Sequence, residues 1–378
     1  MLRYLTAGES HGKGLVGILE GMPAGLPINR EMINLDLARR QKGYGRGGRM
    51  NIEQDQIEIL AGLRGGVTMG SPIAYLIQNR DYKNWTEGMD PFEGDLGYKQ
   101  VLHPRPGHAD LPGALKYGFS DMRPILERSS ARETAARVAA GSLVRQLLQP
   151  FGIKASSHVV QIGCVNLVGV EISHEDLDRS EISPVRCIDN ETGQRMMQAI
   201  DEAKVKGDSL GGIVEVRVKG LPVGLGSHVQ WDRKLDARLA YALMSIQAIK
   251  GVEIGDGFDI ASKSGSLAHD EIFYEEDRGF YRKTNHAGGI EGGMTNGEEL
   301  VVRCAMKPIP TLMTPLQTVD MNTRQPYSAA KERSDTCAVP AAAVVAELVT
   351  LFTLAQAFME TFGRDSFEEM KRCWKPSM

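Results

Sequence analysis

The run Arg39-Arg40-Gln41-Lys42-Gly43-Tyr44-Gly45-Arg46-Gly47-Gly48-Arg49 holds five basic residues and four glycines and no acid. Glycine removes side-chain obstruction and arginine presents a planar fork of donors, so backbone N–H and guanidinium groups can close together on an anion. The chemistry implied is capture of a small polyanion; a solvated basic loop is the plainer alternative. Further on, Arg128-Ser129-Ser130-Ala131-Arg132-Glu133 carries the S-x-x-E spacing of a capping box. That spacing predicts a helix start whose unpaired N–H groups and dipole favour a phosphate or carboxylate, with Arg128 and Arg132 beside it.

Two histidines lie in polar, glycine-bounded loops, His11 in Gly8-Glu9-Ser10-His11-Gly12 and His108 in Arg105-Pro106-Gly107-His108-Ala109-Asp110. Imidazole changes charge near neutral pH, which makes each a candidate proton donor if an anion is bound nearby. Residues 285–297 include five glycines, suited either to close backbone approach to a flat or phosphorylated ligand or to tight hairpin turns. Lys307 in Lys307-Pro308-Ile309-Pro310-Thr311 suits a cofactor anion, and Arg333-Ser334-Asp335 offers a guanidinium and an acid/base carboxylate.

Several alternatives weaken on inspection. Gly43-x-Gly45-x-x-Gly48 matches a dinucleotide fingerprint, but that motif follows a strand and opens an apolar helix, and here a helix-like segment precedes it and an extended one follows. Tyr44 and the arginines could instead stack on bases as an RGG-like nucleic-acid segment, but this is one isolated patch in a chain of net charge -4. There is no phosphate-binding G-x-x-x-x-G-K-[ST] loop and no G-x-S-x-G elbow.

The elements that must position these groups are mixed. Residues 28–41, 130–148, 234–249 and 340–361 read as helices, and 212–218 and 300–306 as strands; the order lacks a regular βαβ rhythm, which points to an α+β fold. The 378 residues, 42% hydrophobic and 24% charged, allow a large core and no low-complexity linker divides them. An internal echo is present: Gly8 and Gly21-Met22-Pro23-Ala24-Gly25-Leu26 recur as Gly207 and Gly220-Leu221-Pro222-Val223-Gly224-Leu225, with the same 13-residue interval. It suggests two duplicated halves of one body, roughly 1–200 and 201–378. The apolar stretch from Ala338 to Met359 is long enough to span a bilayer, but Pro340, Glu347 and Gln356 interrupt it, which favours a buried helix. The five cysteines have no metal-site or disulfide pattern, and the N-terminus has no secretory pattern, so a reduced cytoplasmic protein without membrane or metal is expected.

Taken together the motifs resemble the chorismate synthase family over nearly the whole chain. The matching blocks run in order: 8–23, Tyr44 to Arg49, His103 to Asp110, Arg128 to Gly141, Gly251 to Phe258, Asn285 to Gly297, Lys307 to Thr311 and Arg333 to Pro340. The resemblance implies a single domain over 1–378 with a four-layer β/α/α/β sandwich and internal duplication, assembled as a homotetramer. It implies elimination of phosphate from 5-enolpyruvylshikimate 3-phosphate with reduced FMN. FMN contacts would come from Arg128, Ser129, Ser130, Gln247 (where the family usually has Asn), Ala248, Gly292, Lys307, Pro308, Ile309, Pro310, Thr311 and Arg333. Ser10, Arg40, Arg46, Arg49, Arg105 and Arg132 would bind a substrate bearing a phosphate and two carboxylates, and the positions of Arg40 and Arg46 are also associated with NADPH. In this scheme His108 protonates the departing phosphate, His11 supports the reduced flavin, and Asp335 assists removal of the carbon 6 hydrogen.

Overall fold

Arg3–Ala7 (β1) and Gly14–Glu20 (β2) pair as antiparallel strands whose successive side chains point to opposite faces, with Leu15 and Leu19 buried under the sheet and the paired Leu5 and Ile18 facing outward. A computed structural model describes residues 1–48, 52–168, 172–332 and 334–374. The first sheet is completed by β3 (Ile57–Ala61) and β6 (Ile73–Gln78) in the order β1-β2-β6-β3, with a small hairpin, β4 (Leu63–Arg64) and β5 (Val67–Thr68), between them. The second sheet contains β7 (Lys154–Ile162), β8 (Val165–Asn166), β9 (Gly212–Lys219), β10 (Ile249–Ile254) and β15 (Leu300–Met306), in the order β10-β15-β9-β7-β8. Further hairpins are β11 (Ile272–Glu275) with β12 (Gly279–Arg282), β13 (Ile290–Glu291) with β14 (Met294–Thr295), and β16 (Gln317–Val319) with β17 (Pro326–Ser328). Among the described residues every ladder pair of these strands is antiparallel, the mark of an α+β fold.

Helix α1 (Arg30–Gln41) starts at Asn29, whose side chain accepts from the N–H groups of Glu31 and Met32, and it buries Ile33, Asp36, Leu37 and Arg40 on one face. Shorter helices α2 (Thr86–Met89), α3 (Asp110–Tyr117) and α4 (Arg123–Ser129) lead to α5 (Thr134–Leu148), and α6 (His174–Ser180) and α7 (Asn190–Val205) precede β9. The others are α8 (Leu235–Met244), α9 (Gly265–Ala268), α10 (Val339–Phe362) and α11 (Phe367–Cys373). Helices α1 and α5 pack on the first sheet, α8 and α10 on the second, and α5 and α1 lie against α10. The membrane-length apolar helix is therefore a core element, with 94% of its most apolar window buried. Its buried carboxylate, Glu347, meets Arg39 at 2.9 Å, Arg145 and the Ser157 hydroxyl at 2.6 Å.

The two stretches of the echo make matching loops. Thr68 Oγ1 donates to the Pro23 carbonyl at 2.5 Å and accepts from Leu26 N–H at 2.9 Å; Thr295 Oγ1 donates to the Pro222 carbonyl at 2.6 Å and accepts from Leu225 N–H at 2.8 Å. The strand order β1-β2-β6-β3 is likewise repeated by β7-β9-β15-β10.

Two expectations need correction. The helix expected over 130–148 begins as a 3-10 turn at Ala131–Glu133 capped by Ser130, and the Glu133 carboxylate turns away to Thr6, Arg137 and Gln247 instead of closing a capping box. The helix expected over 234–249 ends at Met244; a turn follows, in which Ala248 takes φ +69° and leads the chain into β10 at Ile249.

Candidate active site

A cavity of about 600 Å³ opens where loops from both sheets and the start of α10 converge. Its apolar lining includes Trp85, Leu126, Ile246, Met306, Ala342 and Val345, while arginines, a lysine and two histidines supply the polar part. An apolar pocket with a few converging polar groups is the usual form of a small-molecule site.

Of the expected substrate and catalytic residues, Ser10, His11, Arg40, Arg46, Arg105, His108, Arg132 and Asp335 all line this one cavity. Arg49 lies outside the described residues. The arginines are fixed from behind. Arg132 meets Asp55 at 2.7 Å and donates from Nε to Asn79 Oδ1 at 2.9 Å. Arg40 reaches the same Asp55 at 3.4 Å and donates to Thr134 Oγ1 at 2.9 Å and the Ala131 carbonyl at 3.1 Å. Burial, with Arg132 and Arg46 nearby, lowers the Arg40 pKa to about 10 despite Asp55, so it still carries its charge at neutral pH. Arg105 pairs with Asp110 at 2.8 Å and donates to Thr311 Oγ1 at 2.8 Å.

Both histidines are backed by buried carboxylates. His108 Nδ1 lies 2.5 Å from Asp110 Oδ1 and Arg105 Nη2 lies 3.1 Å from the same nitrogen. Burial alone would raise the Asp110 pKa, but hydrogen bonds from His108 and Arg105 and their charges hold it well below the usual carboxylate range. His11 Nδ1 lies 2.8 Å from Glu127 Oε1, and its ring stacks on Trp85 with centroids 3.9 Å apart. The loop placement of these histidines was legible in sequence, but His11 is only 8% exposed and held on two sides.

Asp335 joins the arginine-glycine loop to the approach to α10. It accepts from Gly47 N–H at 2.6 Å and meets Arg46 at 2.8 Å. A Cβ on Gly47 would lie 2.8 Å from the Ser334 carbonyl oxygen, so this close approach requires glycine.

The expected flavin-contacting residues divide. Ser129, Ser130, Gln247, Ala248, Lys307, Ile309, Pro310 and Thr311 line the cavity, with the Lys307 ammonium donating to the Gly107 carbonyl. Pro308 is outside that lining, and Gly292 sits in the turn between β13 and β14. Arg128 donates to the Thr6 carbonyl at 2.8 Å and borders a neighbouring open pocket with Glu133, Arg137 and Gln247. Arg333 lies outside the described residues. Sequence reasoning missed Trp85, Asp55, Asn79, Glu127 and Thr134; only Glu127, next to the Arg128-Ser129-Ser130 segment, had a local signal. The basic groups converge inward on one cavity, and no feature of the site favours the nucleic-acid alternative.

The chorismate synthase family model matches residues 2–359. The chain belongs to the chorismate synthase family. A chorismate synthase of Alkaliphilus metalliredigens is 60% identical over 375 residues, covering 99% of each chain, and one of Bacillus pumilus is 57% identical, covering 98% of this chain and 97% of its own. A solved structure described as chorismate synthase superposes with a TM-score of 0.79 at 44% identity, covering 98% of this chain and 96% of the other. Membership makes the protein a lyase, and the chorismate synthase family model spans every described residue that lines the cavity.

Proposed function

We propose that the cavity binds 5-enolpyruvylshikimate 3-phosphate together with reduced FMN and carries out the 1,4-anti elimination of phosphate that yields chorismate. The observation that carries this reading is the convergence of Arg40, Arg46, Arg105, Arg132 and Lys307 with two carboxylate-backed histidines around an apolar floor. A substrate with a phosphate and two carboxylates needs that many cations, and a planar ring system needs that floor. The fit to a flavin is supported by two buried atoms that have no hydrogen-bond partner among the described residues, Ser129 Oγ and Gln247 Oε1, both on residues lining the cavity. Such orphans are costly until a ligand satisfies them.

The carbon 6 hydrogen is not adjacent to a carbonyl, so direct removal by a base is unfavourable; reduced FMN, held by residues such as Ser129, Gln247 and Lys307, would lend the substrate an electron and recover it with the departing hydrogen, with no net oxidation. The residues of the chain do the rest. The arginines hold the phosphate and carboxylates and stabilise charge on the leaving group, a contribution of about 3–4 kcal/mol per donor in comparable sites. A carboxylate only accepts, so Asp110 accepts a hydrogen bond from His108 Nδ1–H, and the doubly protonated ring gives its second proton, on Nε2, to the departing phosphate. His11 holds the proton that supports the reduced cofactor, and Asp335, oriented by Arg46 and Gly47, assists removal of the hydrogen. Ser10 contacts the substrate.

The same reading extends to Arg128, Gly292, Pro308, Arg333 and Arg49 as contacts of the cofactor or substrate, to Arg40 and Arg46 as contacts of NADPH, and to a cytoplasmic homotetramer. The four-layer β/α/α/β sandwich with duplicated halves is part of it, supported by the helix pairs on each sheet, the repeated strand order and the matching Thr68 and Thr295 loops.

Replacement of His108 tests the assignment. His108→Ala is expected to lower turnover about 10²–10⁴-fold while substrate and flavin still bind, with the loss confined to the chemical step. A fall below about tenfold, or a loss explained wholly by affinity, would show that His108 is not the acid.

A further inference from the structure

The Glu127 carboxylate sits behind His11 and accepts twice from that one residue. Its Oε2 lies 2.7 Å from His11 backbone N–H and its Oε1 lies 2.8 Å from His11 Nδ1. Its main chain joins in, since the Glu127 carbonyl accepts from Ser10 N–H at 3.0 Å and Ser10 Oγ donates to Ser130 Oγ at 3.1 Å. One short segment, 127–130, therefore fixes the loop that carries Ser10 and His11. The ring is held on its face as well as its edge, because Trp85 stacks on it at 3.9 Å with planes 26° apart. Lys99 Nζ stands 3.9 Å from the Trp85 ring centre, and Arg123 approaches that ring at 5.2 Å and Glu127 at 3.5 Å. Arg123 is itself held by Glu332 at 2.9 Å.

We propose that Glu127 is a positioning residue for the reaction: it keeps one proton on His11 Nδ1, so that Nε2 is the nitrogen that gains and gives the second proton, the one exchanged with the ligands of the cavity. This rests on the reading of His11 given above. An ionised carboxylate accepts only, so both hydrogens facing it must come from His11. Burial would raise the Glu127 pKa, but hydrogen bonds from the His11 ring and backbone and the charge of Arg123 lower it, which keeps the group an acceptor. The stacked indole fixes the plane of the ring, and a half-turn about Cβ–Cγ within that plane would cost the Nδ1 bond to Glu127. A carboxylate that orients a catalytic imidazole through Nδ1 is an arrangement of general use in proton transfer.

Glu127→Gln separates this role from simple packing. Glutamine keeps the shape but has a single acceptor oxygen, which the His11 backbone N–H requires. Its NH2 group must then face Nδ1, and the imidazole proton must move to Nε2. We expect 15N NMR of His11 in the ligand-free protein to show the Nδ1–H tautomer in the native chain and the Nε2–H tautomer in Glu127→Gln. Turnover should fall roughly 10²-fold with KM changed less than about threefold and thermal unfolding nearly unchanged. An unchanged tautomer in Glu127→Gln overturns the proposal whatever the turnover. If His11→Ala cripples turnover while Glu127→Gln inverts the tautomer without loss of rate, the Nδ1 proton is not required and the proposal again fails. If His11→Ala leaves turnover intact, the role of His11 in the reaction is wrong, and the NMR result alone decides whether Glu127 sets its tautomer.

Discussion

Asp55 is shared by Arg40 and Arg132, and that sharing makes the cavity arginines unequal. Arg46→Ala removes one charge-assisted contact and is expected to weaken substrate binding by roughly 2–3 kcal/mol with the fold intact, measured by calorimetry and thermal melting. Arg132→Ala does more, because the fully buried Asp55 loses its 2.7 Å partner and, among the described residues, keeps Arg40 at 3.4 Å as its ion-pair partner. A stability loss of about 3–5 kcal/mol should accompany the weaker binding, the cost of breaking a buried pair. An Arg132→Ala chain as stable as the native one would show that Asp55 is satisfied without it. Residue types and spacing exposed the arginines and histidines as anion- and proton-handling groups. Asp110 stands two residues from His108 in that sequence, but the carboxylate behind His11 was hidden, because Glu127 meets it across 116 positions and only the folded chain makes that pair.

The helices α5 and α10 approach closely at Gly141, where a Cβ would lie 2.5 Å from Leu348 Cβ and 2.6 Å from its carbonyl oxygen. In an isolated helix Gly→Ala stabilises by about 1 kcal/mol. Here the clash with backbone involves two helices each packed on a sheet, and overpacking of that kind costs about 1–3 kcal/mol. The clash wins: Gly141→Ala is expected to lower the Tm by several degrees, and an unchanged or higher Tm in calorimetry would mean the helices can part at no cost. Elements with strong period were legible, since α10 and β15 fall within a residue of their expected bounds. The misread helix end at 245–249 is where function intervenes: the chain leaves α8 early and places Gln247 and Ala248 in the cavity lining.

Across the whole molecule, Glu347 binds α10 to α1 and α5 through Arg39 and Arg145 and to β7 through Ser157. Burial would raise its pKa, yet the charges of Arg39 and Arg145 hold it at about 2 in place of 4.5. A depressed carboxyl contributes stability that is present above pH 4.5 and is lost as pH falls toward 2, here about 3 kcal/mol. Glu347→Gln should flatten that part of the unfolding free energy against pH while lowering stability at neutral pH; an unaltered acid limb would refute the assignment. The sequence placed this carboxylate in an otherwise apolar helix but not its three partners, which come from other elements. It showed the α+β class and the Pro–x–Gly–Leu echo, while the packing of α1 and α5 on the first sheet and of α8 and α10 on the second depended on long-range contacts. The central claim is that all of this serves one flavin-dependent elimination. It is tested most directly by mixing the protein anaerobically with 5-enolpyruvylshikimate 3-phosphate and dithionite-reduced FMN and following phosphate and chorismate together: equal release of both, only when reduced FMN is present, is the expected result, and phosphate release without flavin, or none with it, would contradict the account.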